Sequence, residues 1–195
     1  MKLFVVLCAL QCFPALGSRS LASQPSLDNV TVQFGDPEAP NKVTLIISLT
    51  CSHCGECLSL LRPSLEKAIQ QKKIFFTLIF YIDNRGSAEA ALLIMHCARV
   101  TGKSVLDLLT TFFERLPEWL ASKQPNVFLT ETIVSQLGGG RPPDALQEDE
   151  LQRLVSNNKR VMENLDVNMI PAVRINFSKF TQGKCNHDEI DRFTQ

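Results

Sequence analysis

Residues 43–61 read VTLIISLTCSHCGECLSLL, and the fold turns on how this stretch is read. Val43 to Leu49 is an apolar, largely β-branched run, the pattern of a buried strand. It stops at Thr50. Cys51-Ser52-His53-Cys54 follows, and then a helix-like segment to about Gln70. A Cys-x-x-Cys at a strand-to-helix junction puts its first sulfur at a helix N-terminus. There the unpaired N–H groups and the helix dipole favour a thiolate. The second sulfur lies one turn on, close enough to close a disulfide, which is the geometry of thiol–disulfide exchange.

Working outward, residues 73–81 (KIFFTLIFY) are a second apolar run and a second buried strand. Strand, helix and strand in this order imply a parallel pair with a right-handed crossover. Upstream, residues 30–34 (VTVQF) alternate as a short strand, and Gly35-Asp36-Pro37-Glu38-Ala39-Pro40 is a turn. Pro63 should kink the first helix or mark its first long turn. Downstream, apolar residues recur at helical spacing from Ala91 to Phe113, and Thr101-Gly102-Lys103 divides them into two helices. A short helix is expected over 130–137, an amphipathic one over 149–165, a strand over 172–177, a turn at Gly183 and a terminal helix over 188–193. The class is α/β, with a helical block at about 87–165 that interrupts the sheet.

The chain has 195 residues, enough for one domain with a sizeable core. An apolar fraction of 45% and a charged fraction of 21% are those of an ordinary globular protein. Twenty basic residues balance twenty acidic ones, so nothing suggests a nucleic-acid-binding face. Met1-Lys2 precedes an apolar run over 3–10 that continues loosely to Leu16, with small residues at Ala15, Gly17, Ser20 and Ala22. The run is shorter than the ~20 residues of a membrane span. Residues 1–22 therefore predict a secretory signal peptide cleaved at about 17–22, with an uncleaved anchor as the alternative. Cys8 and Cys12 would leave with it. Cys51, Cys54, Cys57, Cys97 and Cys185 remain, an odd number that cannot all pair internally.

Several pieces together resemble one family. Ser48-Leu49-Thr50-Cys51-Ser52-His53-Cys54 is similar to the active-site run of the DsbA-like thiol–disulfide oxidoreductases, above all their alphaproteobacterial members. The turn at 35–40, the helices over 88–119 and Leu165-Asp166-Val167-Asn168-Met169-Ile170-Pro171-Ala172-Val173 resemble other parts of that family in the same order. The likeness covers about residue 30 to the end. It implies a thioredoxin fold with an inserted α-helical domain, over residues 23–195, acting as a monomer without a cofactor.

The resemblance also assigns roles. Cys51 would be the exposed nucleophile, Cys54 the buried resolving thiol, and Ser52 and His53 the dipeptide that tunes them. Pro171 would be cis, which is uncommon enough to imply a purpose. It would free the Ile170 backbone to pair with a substrate strand. Each unit by which the first thiol's pKa drops stabilises the reduced form by about 1.4 kcal/mol, or roughly 30 mV. The expected reaction introduces disulfides into reduced exported proteins, with a DsbB-like membrane protein as reoxidant. Three positions depart from the family pattern. Leu45 stands where an acidic residue is usual, and Ser52 where proline is usual. Ala145 stands where the usual partner of Cys97 would be, which leaves Cys97 free or paired with Cys185.

Other readings stay open. Cys51, Cys54, Cys57 and His53 could mimic a zinc or copper cluster, but a second ligand pair at suitable spacing is missing, so no metal is expected. Cys57 is expected to face the helix core as a small apolar residue. The enzyme-class rival is a disulfide reductase or isomerase, and the other rival is a non-catalytic metal- or client-binding protein. Asn29-Val30-Thr31 and Asn176-Phe177-Ser178 are glycosylation sequons, of use only in a eukaryotic secretory pathway. The second falls in the strand after Pro171, where a glycan is awkward. A bacterial periplasm is therefore the expected compartment.

Overall fold

The structure is a computed structural model that describes residues 30–125, 128–129, 134–138, 146–185 and 187–193. The leader expected over 1–22, Asn29, Ala145 and the first half of the helix expected over 130–137 lie outside the described residues. The described elements are β1 (Thr31–Gly35), β2 (Asn41–Ile47), α1 (Ser52–Gln70), β3 (Ile74–Phe80), α2 (Arg85–Thr101), α3 (Val105–Ala121), α4 (Val134–Leu137), α5 (Glu148–Asn164), β4 (Ala172–Ile175), β5 (Thr181–Gln182) and α6 (His187–Asp191).

The five strands form one sheet in the order β1-β3-β2-β4-β5. Only β2 and β3 run parallel, with Asn41 opposite Ile74 and Ile47 opposite Phe80. The other pairs are antiparallel. β2 is the middle strand, and Val43 to Ile47 are all buried because helices cover both of its faces. Val43, Leu45 and Ile47 face the main core, which Leu58, Leu61 and Leu65 of α1 share. Ile46 faces a second, smaller core with Met162 of α5 and Val167. That is strand alternation, applied to a strand buried on both sides.

The helical block is anchored by specific polar contacts. Asn84 caps α2 by accepting from the Ser87 N–H at 2.9 Å, and Gly102 ends it at a left-handed φ of 69°. Arg62 of α1 donates to Glu66 at 2.7 Å and to the Thr110 hydroxyl at 2.6 Å, and it pairs with Asp107, so α1 holds α3. Gly55 lets the two helices approach: a Cβ there would meet the Phe113 ring at 2.7 Å. Asn158 of α5 is buried and bridges the end of β3, accepting from the Ile82 N–H at 2.9 Å and donating to the Phe80 carbonyl at 2.8 Å.

α1 runs to Gln70 as expected, with Pro63 inside it on the exposed face. Two expectations change in detail. The chain forms a two-residue strand, β5, just before Gly183, because Ala172 and Val173 of β4 offer it a partner edge. Asn176 sits in the turn beyond β4, not within the strand, at a φ of 51°. Its side chain accepts from the Lys42 N–H at 2.8 Å and donates to Asn41 at 3.2 Å, so a glycan would have to displace a contact that closes the β2–β4 ladder.

Replacing Asn158 by Ala leaves two buried backbone groups without partners. Urea unfolding should show a loss of about 3 kcal/mol, with the secondary structure of the folded state unchanged.

Candidate active site

Cys51 is the N-cap of α1, in extended conformation (φ −107°, ψ 110°). Its Sγ accepts from the Cys54 backbone N–H at 3.3 Å, the place a serine or aspartate oxygen takes in an ordinary cap. The turn before it is held by the Cys51 N–H on the Ser48 carbonyl at 3.2 Å and by the Ser48 and Thr50 hydroxyls, 2.9 Å apart. No acidic residue occupies the first turn of α1 to oppose the dipole. Cys51 is half-buried, Ser52 and His53 are exposed, and Cys54 is fully buried.

The two thiols are therefore unlike. Burial pushes the Cys54 thiol far above the ordinary thiol range, and its hydrogen bond to the Cys51 sulfur pushes it further. Leu45, fully buried in β2, supplies no carboxylate to the core that Cys54 shares. His53 makes no hydrogen bond among the described residues; the donor to the Cys51 sulfur is the Cys54 N–H instead.

The Ile170–Pro171 peptide is cis. Ala172 lies opposite Ile46, so the antiparallel register carries Pro171 alongside Ile47 and Ile170 alongside Ser48. The proline loop thus meets the same end of β2 that leads into Cys51. Gln182 of β5 holds that loop: its side-chain oxygen accepts from the Asn168 and Met169 N–H groups at 2.9 and 3.0 Å, and its amide donates to the Asp166 carbonyl at 2.8 Å. Gly183 leaves room for the Met169 thioether, which a Cβ would meet at 2.4 Å. Gln182 carried no signal in the sequence, since its role depends on a strand too short to leave a pattern.

A family model described as Thioredoxin matches residues 28–193. The chain belongs to the thioredoxin family. No curated protein matches it as a relative. Among solved structures, this thioredoxin-family chain is similar to Wolbachia pipientis alpha-DsbA1, with a TM-score of 0.66 and 19% identity over 83% of this chain and 89% of that one. It is also similar to Proteus mirabilis ScsC (TM-score 0.61, 17% identity, 85% and 71% covered). A protein-disulfide isomerase from Novosphingobium aromaticivorans matches with a TM-score of 0.61 at 16% identity, over 90% of this chain and all of that one. At such identities the likeness is one of fold: the thioredoxin fold with helices between β3 and β4, as in DsbA-type thiol–disulfide oxidoreductases.

Of the two readings left open for Cys97, the free thiol is found and the bond to Cys185 is not. Cys185 is bonded to Cys57, with Cα atoms 5.3 Å apart, and not to Cys97. Cys97 is a free, buried thiol in α2. Cys57 is buried as expected, but as half of a disulfide that ties α1 to the segment after β5, 128 residues away. Only the fold could rank the three pairings open to Cys57, Cys97 and Cys185, because β5 decides where Cys185 arrives. The bond also removes Cys57 from any ligand set, and no group of three or more His, Cys, Asp or Glu is placed to hold a metal among the described residues.

Two predictions follow from the sulfurs. Alkylation of the native dithiol form at pH 7.5 should label Cys51 rapidly and spare Cys54 and Cys97, as read by peptide mass; equal labelling would contradict the asymmetry. A Cys57→Ala/Cys185→Ala protein should unfold at lower urea, with a loss of about 2–5 kcal/mol.

Proposed function

We propose that this protein is a thiol–disulfide oxidoreductase that introduces disulfides into exported proteins through Cys51 and Cys54. The observation that carries the reading is the unequal pair at the N-terminus of α1: a half-exposed sulfur in the cap position and a buried one behind it, at the sheet end reached by the cis-proline loop. In the disulfide form, a client thiolate attacks the Cys51 sulfur. The Cys51–Cys54 bond breaks, and Cys54 leaves as a thiolate that takes up a proton. A second client thiolate then attacks the client sulfur of the mixed disulfide and releases Cys51. Two electrons pass from client to enzyme, and the client gains one disulfide.

Burial supports a division of labour between the two thiols: Cys54 is closed off in the core while Cys51 is reachable, so an incoming client meets Cys51 first. Net oxidation then requires that the client's own second thiol, rather than Cys54, resolves the mixed disulfide. Ile170 and Pro171 support client binding: their loop lies at the sheet end that leads into Cys51, and the Gln182 clamp keeps it in place.

In this reading the enzyme works as a monomer in an oxidising compartment, a bacterial periplasm, and hands its electrons to a DsbB-like membrane reoxidant. The Cys57–Cys185 bond supports export, since disulfides persist where the compartment is oxidising. No described helix is long and apolar enough to cross a membrane.

The test is a redox titration in glutathione buffers with a reduced client present. Cys51 and Cys54 should titrate as one couple, more oxidising than the roughly −270 mV of thioredoxin. Cys51→Ala should bring client oxidation down to the buffer rate. Cys54→Ala should accumulate a mixed disulfide on Cys51. A couple more reducing than thioredoxin would make the protein a reductase, and separate titration of the two thiols would end the exchange reading altogether.

A further inference from the structure

A groove of about 490 Å³ runs between α1 and α3 and opens beside the active site, since Ser52, the neighbour of Cys51, forms part of its wall. It lies on the α1 face that meets α3. The cis-proline loop, by contrast, comes in along β4. The groove accompanies α1 from Ser52 to Ser59, about 10 Å at 1.5 Å per residue. An extended chain covers that length with about three residues.

The lining has two characters. Phe113, Pro117 and Leu120 give an apolar wall, and Leu120 is 55% exposed, unusual for a residue of its size on a helix that otherwise packs its leucines. Glu56 and Glu114 are the charged residues of the lining, and no base stands among them. Neither carboxylate makes an ion pair among the described residues. The arginines nearby are committed elsewhere, Arg62 to Glu66 and Asp107, and Arg115 to Glu118. The groove therefore presents uncompensated negative charge next to exposed apolar surface.

We propose that this groove docks the segment of a client chain flanking its reacting cysteine, and that it selects an apolar side chain adjacent to Lys or Arg. The assignment rests on the oxidoreductase reading and names its substrate class. One side of the client pairs with the Ile170 backbone. The flanking residues lie along α1 and α3, an apolar side chain against Phe113 and Leu120 and a cation between Glu56 and Glu114. Specificity of this kind is modest, as befits an enzyme that must accept many unfolded chains, because the charge contacts are solvent-exposed.

The experiment compares short dithiol peptides that differ only beside the cysteine: Leu-Lys, Leu-Glu, Ser-Lys and Ser-Ser. Oxidation rates by the full-length disulfide form are measured alongside the binding of serine-for-cysteine versions by fluorescence anisotropy. The Leu-Lys peptide should react fastest and bind tightest. In the Glu56→Gln/Glu114→Gln protein its advantage over Leu-Glu should shrink about tenfold, the size expected of two exposed charge contacts. The Cys51–Cys54 midpoint potential should not move. Leu120→Ser should erase the preference for Leu over Ser, and about 1 M salt should erase the charge preference alone.

Oxidation at equal rates for all four peptides would overturn the groove assignment and leave the enzymatic reading intact. Peptides that bind with the stated preference but are never oxidised would do the reverse. A dimer in sedimentation that Leu120→Ser dissolves would show that a second copy covers the groove, and the client assignment would fall.

Discussion

The hydrogen-bonded position of β2 between β3 and β4 is the constraint on which the site depends. Its parallel ladder to β3 requires a crossover, and α1 is that crossover, so the chain must turn from strand to helix within Ser48 to Cys51. Its antiparallel ladder to β4 brings the cis Ile170–Pro171 bond to the same end of the sheet. Two segments 120 residues apart in sequence thus meet because one strand pairs on both edges. Burial on both faces makes that arrangement stiff, since any shift in register would carry Leu45 and Ile47 out of one core and Ile46 out of the other.

α1 carries a different demand on each side. Its N-terminus offers backbone donors to the Cys51 sulfur, while its first turn buries Cys54. One turn further, Cys57 is locked to Cys185, and near the middle Ser64 donates to Asp191 of α6, so the C-terminal segment is held to the helix twice. On another side Gly55 admits Phe113, and Arg62 fixes α3 by ionic and neutral bonds. Cys51 and Cys54 therefore sit on a helix braced from several directions. Such bracing suits the exchange proposed for them, in which the client is the flexible component and the Cys51 sulfur is presented at a constant angle.

Much of this was legible along the chain. The buried run over 43–49, the Cys-x-x-Cys after it and the second run over 73–81 mark β2, α1 and β3 within a few residues, because strands buried on both faces and long amphipathic helices leave strong local patterns. Gly102 ended α2 as its sequence position suggests, since few other residues accept a left-handed backbone. Pro171 could be singled out through its place after Met169-Ile170 and its resemblance to a known loop. The burial of Cys57 could be read, but its partner could not. As a lone residue inside a helix it looks like packing material, and only the return of the chain through β5 gives it a partner.

What the sequence determined by itself was the order of elements and the Cys-x-x-Cys spacing at a strand-to-helix junction, both set within a few residues of chain. Tertiary structure decided everything that needs two distant segments: the Cys57–Cys185 bond, the isolation of Cys97, the Gln182 clamp on the proline loop, the bond of Asn176 to Lys42, and the groove of α1 against α3. The division has a physical cause. Periodicity, capping and turn preferences are set by neighbours along the chain, whereas disulfides, clamps and grooves depend on which surfaces the sheet register finally brings face to face.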